Sequence, residues 1–120
     1  MCVLVVDDEI KILRFIKLSL TLAGYAVITA TNGADALKLL ESEKPDIMLL
    51  DLIMPGMDGF EVLRRTRAIS GLPVIVFSAH DSASGEALSL GANDFLAKPF
   101  SSGELVNKIE AIAQAVSKNG

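Results

Sequence analysis

Five polar side chains occupy the same kind of place in this sequence, just after a short apolar run. Asp7 and Asp8 follow Cys2–Val6, Asp51 follows Ile47–Leu50, Ser78 follows Val74–Phe77, and Lys98 follows Phe95–Ala97. Taken singly, each such Asp reads as a helix cap, as Asp8 would be before Glu9. Taken together, three carboxylates, a hydroxyl and an ammonium read as one site. Two carboxylates about 4 Å apart repel by roughly 4 kcal/mol at an effective dielectric of about 20. One of them must then hold a proton, or a cation must lie between them. Oxygen donors, with no second histidine and no cysteine nearby, favour a hard divalent ion such as Mg²⁺ that keeps several of its waters. A metal on two or three carboxylates, with a lysine and a hydroxyl opposite, suits phosphoryl transfer, because metal and ammonium neutralise the phosphoryl oxygens while a carboxylate attacks. Asp51 is the candidate nucleophile, since it ends what reads as the central strand and precedes the Met54-Pro55-Gly56 loop. The product would be an aspartyl phosphate.

The elements that must carry these groups alternate in period. Cys2–Val6 is apolar throughout, as a strand buried on both faces should be. From Ile10 the apolar residues recur as Leu13, Ile16 and Leu20 with Lys11, Arg14 and Lys17 between them, and Gly24 supplies a helix stop. Tyr25–Ala30 then reads as a strand, Asn32-Gly33 as a turn, and Ala34–Glu43 as a helix ended by Pro45. Ile47–Leu50 is a third strand, and Phe60 to Ala68 a third helix closed near Gly71-Leu72-Pro73. Val74–Phe77 is a fourth strand. Ser82–Leu90 predicts the least stable helix, with Gly85 inside it and Gly91 at its end. Phe95–Ala97 is a short fifth strand. A Ser101/Glu104 capping box opens the last helix, whose apolar face is Leu105, Ile109, Ile112 and Val116, and the residues from Ser117 on carry no pattern. Five short apolar strands alternating with helices predict an α/β domain with a parallel sheet covered on both faces. In such sheets ligands bind beyond the carboxyl ends of the strands, where all five polar groups fall.

Composition narrows the function. A chain of 120 residues with 51% apolar and 22% charged residues fits one packed domain and excludes disorder. A net charge of −4 gives no electrostatic footing for nucleic acid or an anionic membrane. A lone Cys2 allows no internal disulfide, no apolar run approaches the roughly 18–20 residues of a span, and the opening apolar stretch runs at once into Asp7, Asp8 and Glu9, unlike a signal peptide. A cytoplasmic setting is the expectation.

Four motifs in a fixed order carry a resemblance: Val5-Val6-Asp7-Asp8-Glu9; Leu49 to Gly59, with Asp51, Met54-Pro55-Gly56 and Asp58-Gly59; Phe77-Ser78-Ala79; and Gly91 to Phe100, with Lys98-Pro99-Phe100. Through them the chain resembles the receiver domain of bacterial two-component response regulators over residues 1–117, with 118–120 a tail or linker stub. The resemblance implies a flavodoxin-like (βα)5 three-layer sandwich whose five-stranded parallel sheet has the order 2-1-3-4-5. It implies that Asp51 accepts a phosphoryl group from a sensor histidine kinase. Asp8, Asp51 and the Ile53 backbone carbonyl would hold Mg²⁺, with Asp7 supporting the metal through its water shell. Ser78 would hydrogen-bond a phosphoryl oxygen, Lys98 would pair with the phosphate, and the Lys98-Pro99 bond would be cis. Phe95 falls on the family's aromatic switch position, where it would act by packing alone. Ser78 and Phe95 together would change the surface of the fourth helix, fifth strand and fifth helix. That surface would control a C-terminal output domain or a downstream protein, transcription among the outputs. It could also form a homodimer, for which Asp94, Glu104 and Lys108 fit the pattern while Ser84 replaces a basic contact residue. His80 and Ile53 fall where the family tunes phosphoryl lifetime.

Three other functions fit less well. A magnesium phosphatase of the haloacid dehalogenase type needs an acidic residue two positions after its nucleophile, where this chain has Ile53, and a cap domain. A flavodoxin-like cofactor binder needs a hydroxyl-rich phosphate loop after the first strand, where Asp7-Asp8-Glu9 would repel phosphate. A pseudo-receiver would have lost the chemistry, yet all five positions are filled. The expected protein is thus a phosphoacceptor switch and not a turnover enzyme.

Overall fold

The computed structural model describes residues 1–79 and 83–119, with side chains as far as Ala115. In chain order the elements are β1 (Cys2–Val6), α1 (Ile10–Leu22), β2 (Ala26–Ala30), α2 (Gly33–Glu43), β3 (Ile47–Asp51), α3 (Gly59–Ile69), β4 (Val74–Ser78), α4 (Ser84–Ser89), β5 (Asp94–Ala97) and α5 (Ser102–Asn119). The strands form one sheet in the order β2-β1-β3-β4-β5, and every neighbouring pair is parallel. This is the flavodoxin-like arrangement, and all five strands end at one edge.

Alternation along the strands sorts the core into two layers. Val3, Val5, Leu49, Ile75 and Phe77 face α1 and α5 and meet Leu13, Ile16, Leu20, Leu105 and Ile109. Leu4, Val6, Leu50, Val74 and Val76 face the other way and meet Ala36 and Leu40 of α2, Val62 and Leu63 of α3, and Ala87 of α4. Every residue of β3 and β4 is buried, as befits strands that are apolar up to the Asp51 and Ser78 at their ends. The wide stripe of α1 is only partly used: Phe15, Leu18 and Leu22 stay exposed.

Several boundaries differ from the sequence reading. Asp51 and Ser78 are the last paired residues of their strands and not the first loop residues, while β5 opens one residue earlier, at Asp94. Tyr25 precedes β2 and donates its N–H to the Leu20 carbonyl. Asn32 is not a turn residue but the N-cap of α2, its side chain accepting from the Asp35 N–H at 2.8 Å. Gly33 opens that helix because a Cβ there would lie 2.6 Å from Val62 Cγ2 and 2.9 Å from Met57 Sδ. α4 has only six residues, no side-chain cap and one buried residue, Ala87, in keeping with the weakest helix. Residues 80–82, and with them His80 and the expected helix start at Ser82, lie outside the described residues. The helix α5 continues through Asn119, past the expected end of pattern. Its capping box is present, with Ser101 Oγ accepting from the Glu104 N–H at 3.1 Å.

The short α4 does not carry the position of β5 alone. Arg67 of α3 donates from Nε to the Gly91 carbonyl at 2.9 Å and from Nη2 to Asn93 Oδ1 at 3.0 Å, and Asn93 N–H donates to the Val74 carbonyl. The strand that leads into Lys98 is thereby tied to α3 and β4.

Candidate functional site

Sheet register brings the acidic residues level. Val6 pairs with Leu50 across β1 and β3, so the next residues, Asp7 and Asp51, stand side by side at the carboxyl edge. The carboxylates of Asp7, Asp8 and Asp51 offer oxygens that all lie within 4.8 Å of one another. Asp7 is fully buried and Asp51 is 3% exposed, whereas Asp8 faces solvent. Each buried carboxylate also closes a turn: Asp7 Oδ1 accepts from the Glu9 N–H at 2.9 Å, and Asp51 Oδ1 from the Ile53 N–H at 3.2 Å. It is therefore Asp7, and not Asp8, that satisfies the amide at the start of α1; Glu9 is the N-cap and has no side-chain cap bond.

Lys98 completes the cluster from the far end of the chain. Its Nζ lies 3.4 Å from Asp7 Oδ2 and 3.4 Å from Asp51 Oδ2. The Lys98-Pro99 bond is cis, and the Lys98 N–H donates to the Ser78 carbonyl at 2.9 Å. Ser78, buried at the end of β4, is thus fixed by backbone to the residue carrying the ammonium.

One ammonium does not offset the burial of two carboxyls. Asp7 is pushed from 3.8 up to about 6, chiefly by burial and further by the Asp51 charge, against the Glu9 N–H and Lys98. Asp51 is also raised, mainly by burial, against the Ile53 N–H and Lys98. The pocket therefore disfavours its own negative charge, the condition under which a cation binds well. Hard oxygen donors of this kind can hold a divalent metal.

Comparison with known proteins decides the family. A family model described as the response regulator receiver domain matches residues 3–110. This chain belongs to that family. The relatives include the transcriptional regulatory protein KdpE of Mycobacterium tuberculosis, 44% identical over 98% of this chain and 51% of that protein. Another is the probable transcriptional regulator ycf27 of Guillardia theta, 39% identical over 97% of this chain and 46% of its own length. The receiver domain described here spans about half the length of these relatives. Among solved structures, the Francisella response regulator 1452 receiver domain superposes with a TM-score of 0.91 at 35% identity, covering 96% of this chain and 98% of that one. A CheY-like receiver domain protein from Methanospirillum hungatei gives 0.91 at 30% identity, covering 99% and 98%.

The remaining expected residues spread around the receiver's edge. The Ile53 side chain is exposed beside the site. Phe95 is half-buried in β5, on the layer facing α2, α3 and α4. Asp94 pairs with Lys108 within the chain at 3.0 Å, and Glu104 is engaged in the α5 cap. Two contributors escaped the sequence reading. A Cβ on Gly59 would collide with the Asp51 carbonyl oxygen and the Leu52 Cα, and the Gly59 N–H donates to the Leu52 carbonyl at 3.0 Å. Gly59 thus lets α3 close directly on the backbone that carries Asp51. Its signal was the Asp58-Gly59 pair, legible as a loop end but not as a point of close approach. The second is Phe77, whose ring lies against Lys98.

Among the described residues no helix is long and apolar enough to cross a membrane.

Proposed function

We propose that this receiver domain is a cytoplasmic phosphoacceptor switch, taking a phosphoryl group from a sensor histidine kinase onto Asp51. The supporting observation is the placement of Asp51: nearly buried at the end of the central strand, beside two other carboxylates and 3.4 Å from the Lys98 ammonium. The donor set fits Mg²⁺, which Asp8, Asp51 and the Ile53 carbonyl would hold, with Asp7 acting through the metal's water shell. When bound it would supply positive charge against the phosphoryl oxygens. An Asp51 carboxylate oxygen attacks phosphorus, the P–N bond to the donor imidazole breaks, and the imidazole leaves with that electron pair, neutral if its other nitrogen is protonated. Lys98, which pairs with Asp7 and Asp51 in the unphosphorylated chain, turns to a phosphoryl oxygen, and the Ser78 hydroxyl donates to another. Movement of Ser78 toward the phosphate leaves room for the Phe95 ring, so the surface of α4, β5 and α5 changes. That surface would act on an output domain or partner, transcription being one output, and could pair with a second copy. The domain itself would bind no nucleic acid, given its net charge of −4.

The test is intact mass after incubation with acetyl phosphate and Mg²⁺. A gain of one phosphoryl group, abolished by Asp51→Asn and by EDTA, is the expected result. No gain under conditions that label another receiver would overturn the proposal.

A further inference from the structure

We propose that Phe77, backed by Phe100 and Phe15, is a positioning residue for Lys98, holding its ammonium between the two buried carboxylates. The Lys98 Nζ lies over the Phe77 ring, 5.0 Å from its centroid, inside the roughly 6 Å at which a ring face attracts a cation. Phe77 is 1% exposed and the Lys98 side chain 19%, so the ring side of this contact is shielded from water. Phe100 meets the Phe77 ring edge-on, with centroids 5.8 Å apart and planes at 83°, and Phe15 meets Phe100 at 6.2 Å and 43°. Three rings thus run from the exposed face of α1 to the catalytic lysine.

A lysine in this place needs such a device. Its long side chain has several free torsions, and two carboxylate oxygens at 3.4 Å leave the ammonium free to move on an arc between them. Lys98 also lines an open, mainly apolar cleft of about 280 Å³ with Ile12, Phe15, Ala79, Pro99 and Phe100. Without an attractive surface on the inner side, the chain can relax into that cleft and leave the carboxylates. The ring supplies the third direction. It is also rigidly referenced to the nucleophile, because Phe77 is the register partner of Asp51 and accepts the Leu52 N–H at its carbonyl, 3.2 Å away. Since successive residues of a strand face opposite layers, β4 presents the ring toward α1 and α5 and Ser78 to the other side.

The inference rests on the phosphoacceptor reading, and two measurements keep the fates of the two ideas apart. Phosphorylation by acetyl phosphate at saturating Mg²⁺ is followed for Phe77→Leu, Phe77→Tyr and Phe100→Leu, each also in a Lys98→Ala background. Phe77→Leu is expected to lower the maximal rate about tenfold with little change in the donor concentration at half-maximal rate, the size of a lost desolvated cation–ring contact. Phe77→Tyr should recover most of it, Phe100→Leu should give a smaller fall, and none of them should matter once Lys98 is alanine. Equal losses with and without Lys98, or no loss with it, would overturn the inference. Independently of any phosphorylation, the Lys98 ε-methylene protons in the native chain should resonate upfield of the other lysines through the ring current of Phe77. Ordinary lysine shifts there would refute the placement even if Phe77→Leu failed to fold. Conversely, upfield shifts in a chain that acetyl phosphate never labels would sink the phosphoacceptor reading and leave the Lys98 placement standing.

Discussion

Replacing Asp7 by asparagine should make the metal-free protein more stable at neutral pH, although it removes one partner of an ion pair. The Asp7 carboxyl sits at about 6 in the fold against an ordinary value of 3.8. At about 1.36 kcal/mol for each tenfold change in a proton equilibrium, that displacement is about 3 kcal/mol. Its sign follows from proton binding. Between pH 3.8 and about 6 the folded chain holds more of the proton than the unfolded chain does, so stability falls as pH rises through that window. The contribution is fully present below 3.8 and lost above about 6. At pH 7.5 the fold therefore carries an ionised, fully buried Asp7 at a cost of that size. The amide side chain of the Asp7→Asn variant keeps an acceptor for the Glu9 N–H, now met at 2.9 Å, and leaves Lys98 to Asp51 alone at 3.4 Å. Allowing about 1–2 kcal/mol for an amide buried less well paired beside the Lys98 ammonium, the net gain is about 1–2 kcal/mol. For a chain of this length that is roughly 4–8 °C in Tm. Urea and thermal unfolding in EDTA at pH 7.5 read the gain directly, and the difference from wild type should shrink steadily as the pH is lowered to 4. Mg²⁺ should raise the wild-type Tm more than that of Asp7→Asn. If Asp7→Asn is no more stable than wild type at pH 7.5 in EDTA, the electrostatic account of the pocket is wrong.

Other perturbations separate packing from chemistry. Gly59→Ala should cost about 1–3 kcal/mol by overpacking and weaken Mg²⁺ binding, measured by titration calorimetry, because the backbone it displaces carries Asp51 and Leu52. Leu49→Ala, fully buried in the central strand, should lose about 2–5 kcal/mol in urea unfolding. Its Mg²⁺ affinity should stay within about twofold as long as the chain is folded, since the residue faces α1 and α5 and not the site. Asp94→Asn removes a half-exposed ion pair with Lys108 and should shift stability by less than about 1 kcal/mol, less still at high salt.

Much of this fold was legible because β1, β3 and β4 are buried on both sides, so each announces itself as an apolar run with a polar residue at or just after its end. The receiver motifs then fixed strand order, which periodicity alone leaves open. What escaped the sequence was decided by contacts between distant segments. Asn32 reads as a turn residue until Gly33 is seen pressed against Val62 and Met57, which fixes the helix start one residue earlier. Asp8 looks as good a cap as Asp7, and only the register of β1 against β3 turns Asp7 inward to the Glu9 amide and Lys98. Phe77 is indistinguishable from any core aromatic until Lys98 is found over its ring. Phe15, Leu18 and Leu22 have the spacing of a buried stripe yet remain exposed, because α1 already fills its share of the layer with Leu13, Ile16 and Leu20.

The common direction of the five strands divides the molecule into a working rim and a wiring rim. Asp7, Asp51, Ser78 and Lys98 all sit where strands end, while the helix-to-strand turns at Gly24, Lys44–Asp46, Ser70–Pro73 and Leu90–Asn93 lie at the opposite rim. Those turns bear the connectivity and none of the chemistry. At Gly71 even an added Cβ would meet nothing within 4 Å. The order in which the five βα units are strung together is therefore separable from the site they build, and linking Met1 to Asn119 while opening the chain at Gly71 would rewire the domain without moving a single reacting group.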